Sequence, residues 1–204
     1  MENIKNTRTE HDLLGTRELP ADALYGIQTL RGIENFSISK FKLQDYPLFI
    51  HGLAYTKLAA AKANNALGLV SDEQLKSIEA ACKDILDGKY HDQFQVDMIQ
   101  GGAGTSTNMN ANEVIANIAL LHLGKKAGEY EFCSPHDTIN RSQSTNDAYP
   151  TAIHMGLYAS HLKFLPHLEA LIEALQKKGD EFAHIIKMGR TQLEDAVPMT
   201  LGQT

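Results

Sequence analysis

The sequence is poor in the features that mark several large classes of protein. Its 204 residues include two cysteines, Cys82 and Cys133, whose spacing fits neither a disulfide framework nor a metal site. No apolar run approaches the roughly 20 residues needed to cross a membrane, and residues 1–12 lack the apolar core of a signal peptide. Lysine and arginine form no dense block, and the formal charge is -6. A cytoplasmic protein without nucleic-acid or membrane partners is therefore expected.

What the chain does contain is an ordinary globular composition with strong helical patterning. Apolar residues make up 43% and charged residues 22%, which is enough for a buried core. Apolar residues recurring at three- and four-residue steps predict helices at residues 46–69, 71–88, 111–126 and 149–187. Residues 1–35 are predicted to be an irregular arm with one short strand pair near Leu19 and Tyr25. Loops are predicted at residues 89–109, 128–144 and 189–198, and another helix is expected to begin at residues 199–204.

The last long helix has an apolar seam with no partner in the chain. Its predicted length exceeds the roughly 8–20 residues of most globular helices, and Pro166 is expected to kink or divide it. A seam of this length indicates a helix bundle completed by other subunits or by sequence beyond Thr204. The predicted fold is mainly α: an N-terminal helical domain with a strand pair (residues 1–141), then the first long helix of a central bundle (residues 142–204), in a truncated chain.

Two short polar runs, at residues 101–108 and 142–147, each precede a helical segment. Unpaired N–H groups at a helix N-terminus favour anions, and hydroxyl or amide side chains there add neutral donors. A turn with an N-cap explains the first run equally well, and Asp147 alone could cap the last helix. One cap needs one side chain, however, and the second run offers three in succession: Ser144, Thr145 and Asn146. The excess favours ligand binding over capping alone, and two such runs in one chain suggest a small anion with more than one charged end.

Other polar residues have ordinary explanations beside functional ones. His154 and His161 lie seven residues apart on one helix face, where lining a bundle is favoured over binding a metal. Arg190 is either an anion clamp or a complement to a helix dipole. Glu194 and Asp195 are either an acid–base pair or solvated loop carboxylates, and the solvated reading is favoured.

Four ordered motifs, at residues 13–26, 101–114, 143–151 and 189–203, resemble the aspartase/fumarase superfamily over essentially the whole chain. Three places resemble its aspartase branch. These are the Ala-Gly-Thr-Ser run at residues 103–106, the Ser-Thr-Asn-Asp run at residues 144–147, and Gln192, where fumarases and some aspartases have a histidine.

The resemblance implies removal of ammonia from L-aspartate to give fumarate, by anti-elimination through an aci-carboxylate. The substrate carboxylate beside the carbon that loses its proton would be held by Thr105, Ser144 and Thr145. Asn146 and Gln192 would face the departing amino group, and Thr191 would hold the other carboxylate. Fixed neutral donors stabilise such a dianion more than the ground state.

The resemblance also implies a homotetramer, whose active site collects residues from three subunits. The family's serine base and a carboxylate-binding lysine are expected beyond Thr204, so the chain alone is expected to be inactive. No cofactor is expected; some aspartases respond to divalent cations, but no ligand cluster in this sequence places such a site. The alternatives are a fumarase-type lyase acting on malate and fumarate, and a helical scaffold without chemistry.

Overall fold

The computed structural model describes residues 6–204, and its elements fall into two compact units. One unit ends at Leu157, and the other comprises Tyr158–Thr204. The strands are β1 (Thr7–Asp12), β2 (Gly15–Pro20), β3 (Ile186–Thr191) and β4 (Glu194–Thr200). The helices are α1 (Ile27–Asn35), α2 (Pro47–Ala66), α3 (Asp72–Leu86), α4 (Thr105–His122) and α5 (Thr145–Glu181). Single turns of 3-10 helix occur at Leu43–Asp45, His91–Gln93 and Leu201–Gln203, and Pro135–Ile139 forms a π-helical turn.

The core of the first unit is built around α4. Its residues 110–120 are all buried, and apolar side chains of α2 and α3 pack against it. Helix α3 begins with the predicted capping box: the Ser71 hydroxyl accepts from the backbone N of Gln74 at 3.2 Å, and the Gln74 side chain accepts from the backbone N of Ser71 at 3.1 Å. The mainly helical fold with a strand pair is thus confirmed, since β1 and β2 form an antiparallel hairpin.

Two close backbone approaches place the start of α5 against α2. A Cβ atom on Gly52 would lie 2.3 Å from the carbonyl oxygen of Ala152, and one on Gly156 would lie 3.0 Å from Cα of Phe49. Neither position has room for a side chain, so small residues are required where these helices meet. The first three turns of α5 therefore belong to the core of the first unit.

In the second unit, the remainder of α5 is followed by a hairpin of β3 and β4, paired antiparallel with an irregularity between Met188 and Arg190. The chain then returns to the segment between α5 and β3, where the backbone N of Leu201 donates to the carbonyl of Ile185 at 2.8 Å. The predicted loop at residues 189–198 is therefore wrong, whereas the helix expected to begin at residues 199–204 is found as one 3-10 turn at Leu201–Gln203, capped by the Thr200 side chain. The hairpin escaped prediction because its turn, Gln192-Leu193, lacks the glycine or asparagine that normally marks such a turn.

Several other boundaries differ from the prediction. Residues 27–35, expected to be part of an irregular arm, form α1, and α5 runs from Thr145 to Glu181 instead of from 149 to 187. Helix α4 begins at Thr105, within the predicted loop. The sequence pattern missed this start because the first turns of the helix bury polar side chains that make hydrogen bonds, so no apolar periodicity marks them. Helix α5 continues through Pro166, which does not divide it. The contact division falls inside α5, between Leu157 and Tyr158. The proposed domain boundary between residues 141 and 142 stays a prediction.

Candidate functional site

The first polar run contains a left-handed glycine at the start of α4. Gly104 is the N-cap residue, with φ of 88°, and a Cβ atom there would lie 2.2 Å from Cγ of Tyr149 in α5. The Tyr149 ring also makes an edge contact with Phe49, at a centroid separation of 5.8 Å. Because this ring lies against Gly104, the starts of α4 and α5 are neighbours. The fold thereby brings the two polar runs together in the first unit.

Thr105 and Thr107 differ sharply in what their side chains do. Thr107 is buried, its hydroxyl accepts from the side-chain amide of Gln100, and its backbone N donates to Gln100 Oε1 at 3.0 Å. Thr105 is exposed, and its hydroxyl has no hydrogen-bond partner among residues 6–204. Thr105 is therefore a donor that a ligand could engage.

The second run contains both a cap and donors without partners. The Ser144 hydroxyl donates to Asp147 Oδ2 at 2.9 Å, and the Ser144 backbone N donates to the same oxygen at 3.3 Å. The side chains of half-buried Thr145 and exposed Asn146 make no hydrogen bond within the described part of the chain. The Ser144 hydroxyl is thus bonded to Asp147 and would have to rotate to reach a ligand. The side chains of Thr145 and Asn146 are available to a ligand without such a change.

Beneath these helix starts lies a buried lysine that the sequence analysis missed. Lys57 of α2 has no exposed surface, and its Nζ donates to Asn108 Oδ1 at 2.7 Å, Asn140 Oδ1 at 3.1 Å and Gln143 Oε1 at 3.0 Å. Burial lowers the pKa of Lys57 to about 7. The signal was present in the sequence, since position 57 lies four residues from both Leu53 and Ala61 on the apolar face of the helix.

The other two predicted site residues belong to the second unit. Thr191 ends β3, and Gln192 is the first turn residue of the hairpin; both are exposed. Gln192 and Leu193 have φ of 52° and 67°, the left-handed region that is costly for residues other than glycine. Backbone of this kind concentrates at binding and catalytic sites, although a tight hairpin turn also requires it.

Nearby charged residues of this unit pair with each other. Arg190 Nε donates to Asp195 Oδ1 at 3.1 Å, with both side chains about two-thirds exposed. The solvated reading of Asp195 is therefore favoured over an acid–base role, and Arg190 lies in a strand rather than at a helix end. Of the six predicted site residues, four lie together at the helix starts of the first unit and two lie at this hairpin turn.

Among the described residues, the candidate site includes no cysteine and no metal-binding cluster. Burial raises the pKa of both Cys82 and Cys133 to about 12, as expected for core thiols. Within residues 6–204, no group of three or more histidine, cysteine, aspartate or glutamate side chains is arranged to hold a metal ion. None of the described helices is both long enough and apolar enough to span a bilayer.

Comparison with known proteins gives relatives that are much longer than this chain. It is 56% identical over 203 residues to the aspartate ammonia-lyase of Pseudomonas canavaninivorans, covering 100% of this chain and 43% of that protein. It is 59% identical over 197 residues to the aspartate ammonia-lyase of Helicobacter pylori strain J99, covering 96% of this chain and 42% of the relative. The chain therefore spans less than half the length of these curated relatives.

Solved structures give the same fold. A fumarate lyase:delta crystallin from Brucella melitensis, bound to cobalt, matches with a TM-score of 0.88 and 54% identity, over 97% of this chain and 43% of that one. A recombinant class II fumarase from Schistosoma mansoni matches with a TM-score of 0.79 and 34% identity, over 97% and 42% of the two chains. The family model described as Lyase matches residues 15–204. By that match, which takes in both helix starts and the hairpin, the chain belongs to this lyase family.

Proposed function

We propose that this chain is the part of an aspartate ammonia-lyase that binds the substrate. Such an enzyme removes ammonia from L-aspartate to form fumarate. The observation that carries the proposal is a set of neutral donors at two adjoining helix starts, Thr105, Thr145 and Asn146, whose side chains have no hydrogen-bond partner among residues 6–204. The 54–59% identity to aspartate ammonia-lyases supports the choice of substrate.

The proposed chemistry depends on donors aimed at one carboxylate. Loss of the neighbouring proton puts a second negative charge on that carboxylate, and Thr105, Ser144 and Thr145 would stabilise the dianion. Each oriented donor is expected to contribute about 2–4 kcal/mol to lowering the barrier, as in oxyanion holes. Ammonia then leaves from the adjacent carbon beside Asn146, and the proposed oligomer would supply Gln192 to the amino group and Thr191 to the second carboxylate. This elimination requires no cofactor, because the proton and the leaving amine are handled by side chains.

The base and the assembly lie outside what these residues supply. We infer that a serine beyond residue 204 removes the proton, and that the active enzyme is a cytoplasmic homotetramer. The assembly is supported by exposed apolar side chains along α5: Leu162, Leu165, Ile172 and Leu175. Such a run on one helix is typical of a surface that is covered in an oligomer.

A chimeric enzyme tests the substrate. Residues 1–204 would replace the matching segment of the Helicobacter pylori aspartate ammonia-lyase, and the ultraviolet absorbance of fumarate would be followed with aspartate or malate as substrate. We expect fumarate from aspartate and none from malate. The likeness to the Schistosoma mansoni fumarase makes malate the second candidate. Turnover of malate alone would replace aspartase by a fumarase-type lyase.

Thr145→Ala in the chimera tests whether the side chains at the helix starts take part in catalysis or only cap the helices. Loss of one oriented donor is expected to lower kcat/KM by about 100-fold with the folded state retained. Thr151→Ala is the matched control, because Thr151 lies on the same helix and its hydroxyl donates only to the Asp147 carbonyl, at 2.6 Å. Equal activity of the two variants would instead show that Thr145 is not a donor to the substrate.

A further inference from the structure

The ammonium of Lys57 is enclosed in the first unit without a counter-ion. No ion pair within residues 6–204 includes it, and its partners are three amide oxygens, at 2.7–3.1 Å. A buried charge costs several kcal/mol even after relaxation, and apolar side chains of similar volume often stabilise a core more. General stability is therefore a poor explanation for a lysine at this position.

The polar groups around Lys57 match an ammonium in number and direction. An ammonium has three donors and no acceptor, and here each donor has one amide oxygen. The amide groups are themselves fixed: Asn140 Oδ1 also accepts from Asn108 Nδ2 at 3.0 Å and Asn112 Nδ2 at 3.1 Å. Asn140 Nδ2 in turn donates to the carbonyl of Gln143 at 3.1 Å. The network is continuous from α2 through α4 to the segment that enters α5.

Two of the three acceptors lie beside predicted substrate donors. Asn108 is in the first turn of α4, three residues after Thr105, and Gln143 directly precedes Ser144. One side chain from α2 thus joins the starts of both helices. Oriented donors stabilise a developing charge only when they are held in place, and a misplacement of about 1 Å can cost about 100-fold in rate.

We propose that Lys57 is a positioning residue: its ammonium bonds to Asn108 and Gln143 hold the starts of α4 and α5 so that Thr105, Ser144 and Thr145 converge on one carboxylate. The catalytic part of this inference rests on the proposed function. The structural part, local coupling of the two helix starts, does not.

Hydrogen exchange on the 204-residue chain tests the coupling without any activity. The backbone N of Asn108 donates to the Gly104 carbonyl at 2.9 Å, and that of Ala148 donates to the Ser144 carbonyl at 3.2 Å, so these amides report on the two first turns. In Lys57→Met, both are expected to exchange about tenfold faster relative to the amide of Ile118, deeper in α4. Ile50→Val, a mild core change in α2, should leave these ratios unchanged.

Equal ratios in Lys57→Met and Ile50→Val would overturn the proposal. If Lys57→Met does not fold, Gln143→Leu decides instead, because half-exposed Gln143 is the acceptor next to α5, and its amide nitrogen donates only to the Ile139 and Arg141 carbonyls of the segment before that helix. Faster exchange at Ala148 with no change at Asn108 would then support the proposal. No change at either amide would refute it.

Kinetics of the chimera test the consequence for catalysis. Lys57→Met is expected to lower kcat by about 100-fold with KM within about threefold, because misaligned donors affect the transition state most. Ile50→Val should keep kcat unchanged. A variant with normal kcat, or with only a raised KM, would contradict positioning. A parent chimera without activity would count against the proposed function. Hydrogen exchange would then be the test of whether Lys57 couples the two helix starts.

Discussion

At the scale of single residues, Gly104 joins backbone conformation to the placement of the site. It combines a left-handed φ of 88° with direct contact from the Tyr149 ring, so the start of α4 can approach α5. A side chain here would have to displace an aromatic ring that also packs against Phe49 of α2. The position therefore demands glycine for two independent reasons.

Gly104→Ala is expected to destabilise the first unit by about 3 kcal/mol or more, since strain and overpacking combine. Gly68→Ala is the control: Gly68 also has a left-handed φ, of 72°, but nothing lies within 4 Å of its added Cβ. That variant should lose only about 1 kcal/mol, the conformational cost alone. Denaturant unfolding of both variants gives the comparison, and equal losses would show that the Tyr149 contact is unimportant.

At the scale of elements, α1 is capped by a carboxylate from another helix. Its N-cap, Gly26, has no side chain to cap with, and its first turn contains no acidic residue. Glu113 of α4 accepts instead from the backbone N of Gly26, Gln28 and Thr29 at 2.8–3.0 Å, and from the Thr29 hydroxyl at 2.6 Å. A buried carboxyl group at a helix N-terminus satisfies donors that would otherwise be lost, and its burial raises the pKa of Glu113 to about 7.

Glu113→Gln is expected to reduce the free energy of unfolding by about 1–3 kcal/mol, because an amide has one acceptor oxygen and places an NH₂ group among donors. Glu131→Gln, at an exposed position, makes the same chemical change without buried partners and should be nearly neutral. Thermal unfolding followed by circular dichroism measures both. Similar stability of the two variants would mean that the tertiary cap contributes little.

Elements also show what local patterns can and cannot predict. The capping box at Ser71 was predictable because it consists of residues three positions apart. The cap from Glu113 was not, because its donors lie more than eighty residues earlier in the chain. The hairpin of β3 and β4 was missed since Gln192 and Leu193 occupy turn positions that glycine and asparagine normally take.

At the scale of the whole molecule, the proposed active site needs more than this chain contains. No fumarate is expected when the isolated 204-residue chain is incubated with aspartate, because the proposed serine base is absent. The chimera assayed at the same concentration is the positive control. Measurable fumarate from the isolated chain would contradict this prediction and would direct attention back to Glu194, Asp195 and the histidines.

The amino-acid sequence by itself determined the helical class, the family and the residues expected to meet the substrate, since periodicity and short motifs are properties of neighbouring positions. Only the tertiary structure decided which donors are without partners and what lies beneath them. Thr105 and Thr107 are both threonines of one helix start, yet one faces solvent and the other is buried. The position of Lys57 between Asn108 and Gln143 depends on three chain segments meeting, and hydrogen bonds across such separations leave no mark in local sequence.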